Sequence, residues 1–374
     1  MDHKPASIDW THALDALGVD ADPDAPSRPA PVDDTLLVSP AATLTANDAA
    51  AASDWARRSR AERHRALDRF AALLTAHTRS LAHAHCLETG YPVTQCQRSI
   101  AAGAAHFAEV SQRLYWPAET AATTWRARGD VRLAGRPGDG LADALAQLAS
   151  ALYVGCSVRW QPQAPWTLLA RILVSLWQRA QADDTGASAS LRLDADATAE
   201  ADISGSHRVW VAPSAPVEHT VTQLAEAVCW QNGAGACSVH DVVVDHALHW
   251  EITHRLTDAL AQCNGGDPRE PTCAWPDHVP RPRVHGDTAD SAAPGHGAVT
   301  VRATDTVPTL DSAVRCLSVF SIDQRELHHI KQHAGLAERI CINTVPSSAL
   351  ELDAQAWHRW LKPQRHTEHM EPPC

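Results

Sequence analysis

A chain of 374 residues, 44% of them hydrophobic, is long enough to bury a sizeable core and to divide into more than one domain. Its formal charge of −12, with 32 Lys and Arg against 44 Asp and Glu, leaves no basic stripe, and nucleic acid is excluded as an expected partner. Mean hydropathy is −0.26, and no run approaches the roughly 18 uncharged apolar residues of a membrane span. The opening MDHKPASIDW has no basic stretch leading into an apolar one, so neither a membrane nor a signal peptide is expected.

Ten cysteines stand singly, without a CxxC pair, in a chain too long to depend on a disulfide framework. Free thiols in a reducing, cytoplasmic setting are the expectation. Among the 22 histidines, His329 and His333 are four apart and could share a helix face. The residues between them, Ile330, Lys331 and Gln332, supply no carboxylate for an HExxH arrangement, and no metal site is expected.

Residues 1–35, rich in Asp, Pro and Ala, read as a loosely ordered lead-in. From about Asn47 the pattern is helical: Trp55, Leu67, Phe70, Leu73 and Leu74 recur at helical spacing against a face of Arg57, Arg58, Arg60, Glu62 and Arg63. A second helix over 79–87 stops at Gly90 with Pro92 beyond it, and a third runs over 99–115. Strand 128–133, helix 141–153, strand 156–160 and helix 166–180 then alternate, which predicts a parallel α/β unit.

Residues 189–193 form a possible strand, 207–212 a strand, 217–230 a helix, 239–245 a strand and 250–262 a helix. The stretch 265–295 carries Pro, Gly, Asp and His without periodicity and reads as a long loop excursion. Strands at 298–303, 317–322 and 339–343 and a helix over 323–334 follow, and the tail over 356–374 reads as frayed.

Four landmarks, in this order, resemble the aldehyde dehydrogenase superfamily. They are Trp55 followed by SRAERHRAL and LETG (87–90); the strand–loop–helix 131–155 leading to GCSVRWQP; the helix 217–230 leading to NGAGACS; and CLSVFSID with GLAERICIN. They resemble the family's ETGKP turn, its P-W-N and KP elements, its N-x-G-Q-x-C nucleophile loop and its C-terminal VF and IN segments. GDVRLAG and LAQLASALYVG also resemble the aldehyde-dehydrogenase-like domain of bifunctional proline utilisation proteins. The resemblance implies an α/β fold with a truncated Rossmann-type domain over 36–206 and an α/β cysteine-bearing domain over 207–350. A C-terminal tail over 351–374 completes the chain.

The resemblance also assigns roles. Cys237 matches the nucleophile, and Asn232 lies five residues before it as in the family pattern. A thiol in a Gly-rich loop is accessible, whereas a buried cysteine is simply a small apolar residue. Asp139 falls where the family has its oxyanion asparagine; losing one such donor costs about 3 kcal/mol, and a like charge opposes the alkoxide further. As an ordinary residue, Asp139 is a helix-capping aspartate.

Gln161 replaces the family's cofactor-binding lysine. Asp202, in DISG with Gly205 at the cofactor side, stands 35 residues before Cys237 as a shortened match to the general-base glutamate. Only 40 residues separate Gln161 from Asp202, too few for the strand and helix start that hold a pyrophosphate. The first expectation is therefore a catalytically degenerate scaffold without cofactor, acting in structure or in assembly with itself or a related dehydrogenase. The second is an NAD- or NADP-dependent oxidation of an aldehyde through a Cys237 thiohemiacetal. The third is a cofactor-free thiol enzyme using Cys237 and a base such as His240.

Overall fold

The computed structural model describes residues 10–22, 27–33, 35–40, 54–114, 123–134, 140–162, 167–182, 184, 187, 189–194, 207–233, 238–273, 275–285, 297–306, 316–333, 340–345 and 361–365. The first helix, α1 (Trp10–Leu17), lies where the composition predicts a loose lead-in. Trp10, Ala13, Leu14 and Leu17 share one face and all four are buried, while the Trp10 indole N–H donates to the Val38 carbonyl at 2.8 Å. A short apolar stripe at helical period thus outweighs the Asp and Pro content around it. β1 (Arg28–Pro29) and β2 (Leu36–Leu37) follow as an antiparallel pair.

Ser59 starts the helical layer. Its hydroxyl accepts from the Glu62 N–H while the Glu62 carboxylate accepts from the Ser59 N–H, a reciprocal cap that opens α2 (Arg60–Ala76). α3 (Thr78–Thr89) ends as predicted at Gly90, which takes a left-handed φ of 73° and donates its N–H to the Cys86 carbonyl. α4 (Val93–Arg113) begins directly after Pro92, a turn and a half ahead of the predicted start, because Pro at a helix start gives up no hydrogen bond.

β3 (Thr123–Ala127) precedes the predicted alternation, which consists of β4 (Asp130–Ala134), α5 (Leu141–Val154), β5 (Ser157–Gln161), α6 (Thr167–Ala180) and β6 (Leu191–Leu193). The three strands pair in parallel in the order β4-β5-β6. The core beneath them is aromatic: the Trp177 ring meets Trp55 edge-on at 6.1 Å and Phe70 at 5.4 Å, and Phe70 meets Phe107 at 4.9 Å. The indole N–H groups are satisfied, Trp55 by the Leu152 carbonyl and Trp177 by that of Ala187.

A second, larger sheet follows. β7 (His207–Val211), α7 (Val217–Cys229), β8 (Asp241–Asp245) and α8 (His246–Ala261) lead through β9 (Gly265–Gly266), β10 (Trp275–Pro276) and β11 (Arg283–His285) to β12 (Ala298–Thr304). β13 (Cys316–Phe320), α9 (Gln324–His333), β14 (Ile340–Ile342) and β15 (Leu361–Arg365) complete the chain. The six strands of the large sheet are all parallel, in the order β11-β12-β8-β7-β13-β14. One face buries Val209, Val211, Val242, Val244 and Val301 with α7 and α8, and the other buries Trp210, Leu317 and Val319 with Leu327 and Ile330 of α9. Helices on both faces are the usual setting of a parallel sheet.

Two segments depart from the sequence reading. Part of the aperiodic excursion is built around Trp275, which is fully buried and donates its indole N–H to the carbonyls of Val279 and Pro280. Gly297, at φ 66°, admits the ring: a Cβ there would stand 2.6 Å from it. One aromatic anchor and carbonyls spaced along the chain leave no periodic trace in sequence. The tail contains β15, paired antiparallel with β3 from Leu361↔Ala127 to Arg365↔Thr123, a long-range partner that local pattern does not reveal.

Trp177 of α6 meets Trp55 and, on α2, Phe70, and Phe70 carries the cluster on to Phe107 of α4. Trp177→Ala is expected to lower unfolding stability by about 3–5 kcal/mol, read from urea denaturation; a loss below about 1 kcal/mol would place the core elsewhere.

Candidate functional site

The candidate nucleophile loop leaves α7 through a strained turn. Trp230 is extended, and Gln231 and Asn232 then adopt left-handed φ values of 48° and 56°, followed by Gly233 at 76°. Left-handed backbone at a non-glycine residue costs on the order of 1 kcal/mol, so neighbouring bonds must hold it. The Gln231 N–H donates to the Gln95 side-chain oxygen at 2.8 Å, and Asn232 Nδ2 donates to the Gly90 carbonyl at 3.0 Å. On the far side of the loop, the Ser238 hydroxyl donates to the Trp230 carbonyl at 2.7 Å. Both ends of the loop are therefore anchored and buried, with Cys237 itself among the residues not described.

Asn232 acts here as a strut. Its amide ties the loop to the turn of the LETG motif, and asparagine tolerates the left-handed backbone better than other side chains. Its Oδ1 is buried without a hydrogen-bond partner.

The same turn is fixed from below by Glu88, whose side chain is fully buried. One carboxylate oxygen accepts from the Leu168 N–H at 2.6 Å and from Arg28; the other accepts from the Leu169 N–H at 2.7 Å. Glu88 thus satisfies two orphan donors in the first turn of α6 and sits at the positive end of that helix. Burial nevertheless dominates and pushes the carboxyl up to about 7, against the opposing pull of the two N–H groups and Arg28. Sequence reading singled out LETG for resemblance alone; a glutamate preceding a helix-stopping glycine was the available signal.

A second element reaches the strained turn. Gly140 caps the N-terminus of α5, and a Cβ on it would stand 3.4 Å from both Gln231 Nε2 and Asp143 Oδ2. Asp143 is buried in the first helical turn, where the helix dipole favours its charge. The sequence reading passed over this carboxylate and placed the acidic character at Asp139. Asp139 lies outside the described residues, as do Asp202, Gly205 and Cys237. His240 is described: its Nδ1 is 3.2 Å from the Ala298 carbonyl, just before β8.

Gln161 belongs to a different network. It ends β5, is buried, and its carboxamide oxygen accepts from Arg132 Nη2 at 3.0 Å. Arg132 in turn pairs with Asp194 at 3.0 Å. Behind them, parallel register aligns Arg132, Arg159 and Arg192 across β4, β5 and β6, and Asp130 pairs with both Arg159 and Arg192 at 3.0 Å. The opposite face of the same strands, Leu133, Val158, Trp160 and Leu191, is core. This small parallel sheet thus alternates between an apolar and a charged face, and the Arg132 and Arg159 side chains are 46% and 41% exposed on the charged one.

Among the described residues no helix is long and apolar enough to cross a membrane, and no group of His, Cys, Asp or Glu could hold a metal ion.

This arrangement is the aldehyde dehydrogenase fold in distant, shortened form: residues 39–136 match the model of the aldehyde dehydrogenase family, and solved aldehyde dehydrogenases superpose on nearly the whole chain. A NAD-dependent benzaldehyde dehydrogenase from Corynebacterium glutamicum is 16% identical, with a TM-score of 0.69 over 92% of this chain and 95% of its own. Proline utilization A from Bdellovibrio bacteriovorus is 12% identical, with a TM-score of 0.74 over 95% of this chain and 51% of its own. A 1-pyrroline-5-carboxylate dehydrogenase is 9% identical, with a TM-score of 0.72 over 97% of both chains. No curated protein matches by sequence.

Two predictions follow from the turn. The folded Glu88 carboxyl keeps its proton to higher pH than the unfolded one, whose ordinary value is 4.5. Its contribution to stability is fully present below that value and is lost as pH rises through about 7. In urea unfolding from pH 4.5 to 8, wild type is expected to lose about 3 kcal/mol relative to Glu88→Gln; parallel curves would place the proton elsewhere. For the strut, Asn232→Ala is expected to cost about 1–2 kcal/mol, and Asn232→Gly less, because glycine accepts the left-handed backbone. Equal losses would show that backbone strain does not decide this position.

Proposed function

We propose that this chain is a catalytically degenerate protein of the aldehyde dehydrogenase fold, acting in structure or oligomer assembly rather than in aldehyde oxidation. The observation that carries the reading is the chain of bonds from Gln161 through Arg132 to Asp194. Where the family resemblance calls for a lysine cation facing a dinucleotide, the strand end offers a neutral amide already accepting from an arginine, and that arginine is neutralised by an aspartate. These residues do not fit a nicotinamide dinucleotide held by a lysine.

The charged face of β4-β5-β6 supports the same reading. A doubly wound nucleotide-binding sheet needs apolar residues on both faces to seat its helices. Asp130, Arg132 and Arg159 suit water or a polar partner instead, and Arg192 is buried there in its pairing with Asp130.

Assembly is supported by two features. Trp250 is 75% exposed on α8 and stacks on His254 with centroids 5.3 Å apart, leaving one indole face for a partner. Among the described residues the β3–β15 ribbon has two strands, fewer than an independently stable sheet needs. A second copy of the chain or a related dehydrogenase is the proposed partner.

Purified protein with NAD or NADP and a panel of short aliphatic and aromatic aldehydes is expected to give no reduced cofactor above background. Turnover that disappears in Cys237→Ala would instead establish the oxidation through a Cys237 thiohemiacetal. Sedimentation is expected to give a multiple of the chain mass, reduced by Trp250→Ser; a monomer at all concentrations would remove self-assembly from the account.

A further inference from the structure

Outside the candidate site, two cysteines from different helices approach each other. Cys229 ends α7 and Cys263 follows α8, and their sulfurs are 3.6 Å apart, both half-buried. Cys263 is the more activated of the two. The guanidinium of Arg281 donates to the Cys263 carbonyl at 2.7 Å and rests against Gly265, where a Cβ would collide with it. Gly265 therefore lets a fixed cation stand beside the thiol; the other charged group there is Asp277, 3.8 Å from Arg281.

We propose that Cys263 and Cys229 form a dithiol site whose substrate is a low-molecular-weight disulfide, with Cys263 attacking and Cys229 resolving. The Cys263 thiolate attacks one sulfur of the disulfide, forming a mixed disulfide and expelling one thiolate. Cys229 then loses its proton to solvent and attacks the Cys263 sulfur, expelling the second thiolate. Two protein thiols are oxidised, one small disulfide is reduced to two thiols, and the expelled thiolates take up the protons. The sulfurs must close from 3.6 Å to about 2.05 Å, a movement that two helix ends can supply.

The titration of the pair agrees with this division of labour. The Cys229 S–H hydrogen bond and Arg281 bring the Cys263 thiol down to about 7, against burial, while its bond to Cys263 and burial push the Cys229 thiol up. The attacking sulfur is thus ionised near neutral pH and the resolving one is held as a thiol until needed. The product would tie the end of α7 to the end of α8, one residue before the strained turn that leads to Cys237. The site does not depend on whether the chain oxidises aldehydes.

The fold supplies its own control. Cys316 and Cys341 on β13 and β14 also have sulfurs 3.6 Å apart, but both are more deeply buried than the Cys229–Cys263 pair. Fully reduced native protein is incubated with oxidised glutathione at neutral pH, quenched with an alkylating agent and mapped by mass spectrometry without reduction. The expected result is a Cys229–Cys263 cross-link forming ahead of any Cys316–Cys341 bond. Cys229→Ser is expected to accumulate glutathione on Cys263, and Cys263→Ser to slow capture at Cys229 by at least about tenfold. A stable glutathione adduct on the wild-type pair, faster bonding of Cys316 to Cys341, or unreacted Cys229 and Cys263 while other cysteines react would each overturn the proposal.

Discussion

Glu88 is the constraint on which the rest of the site depends. A carboxylate with no exposure to solvent is held by two backbone N–H groups of α6 and by Arg28. Two residues later Gly90 turns left-handed and offers its carbonyl to Asn232. One short turn thereby ties the start of α6 to the loop that leads to Cys237. The ordered excursion is tied to the same place, since the Val93 N–H donates to the Pro268 carbonyl at 2.7 Å. Removing this buried acceptor leaves the Leu168 and Leu169 N–H groups and the Arg28 guanidinium without it, beneath the turn to which the loop and the excursion are tied.

The second organising feature is the shortened sheet. β4, β5 and β6 keep their apolar face against the aromatic core of Trp55, Phe70 and Trp177. Their other face carries Arg132, Arg159 and Arg192 in register, with Arg132 and Arg159 partly exposed and Arg192 buried in its pairing with Asp130. Shortening a fold without recharging the surface it exposes would leave an apolar patch prone to association. The Arg132–Gln161 bond belongs to this charged face.

Much of the architecture was legible in the sequence. Gly90 before Pro92 and the strand–helix alternation over 128–180 each rest on local chemistry, and the structure follows them closely. The features that escaped are long-range or aperiodic: the pairing of β15 with β3, the burial of Trp275, and the partnership of Gln161 with Arg132 across neighbouring strands. The reading of Asn232 as part of the nucleophile loop gains a mechanical meaning, because a left-handed asparagine tied to Gly90 holds the loop whether or not chemistry follows. Asp143 was missed because an acidic residue in a first helical turn reads as routine capping, and only the approach of Gln231 to Gly140 sets it beside the loop.

The central claim is that the strand end at Gln161 no longer receives a dinucleotide, and calorimetric titration of the purified protein with NAD and NADP into the millimolar range tests it most directly. The account predicts no saturable heat from folded protein. Saturable binding at one site per chain, weakened by Gln161→Ala, would contradict it and return the chain to the cofactor-dependent dehydrogenases.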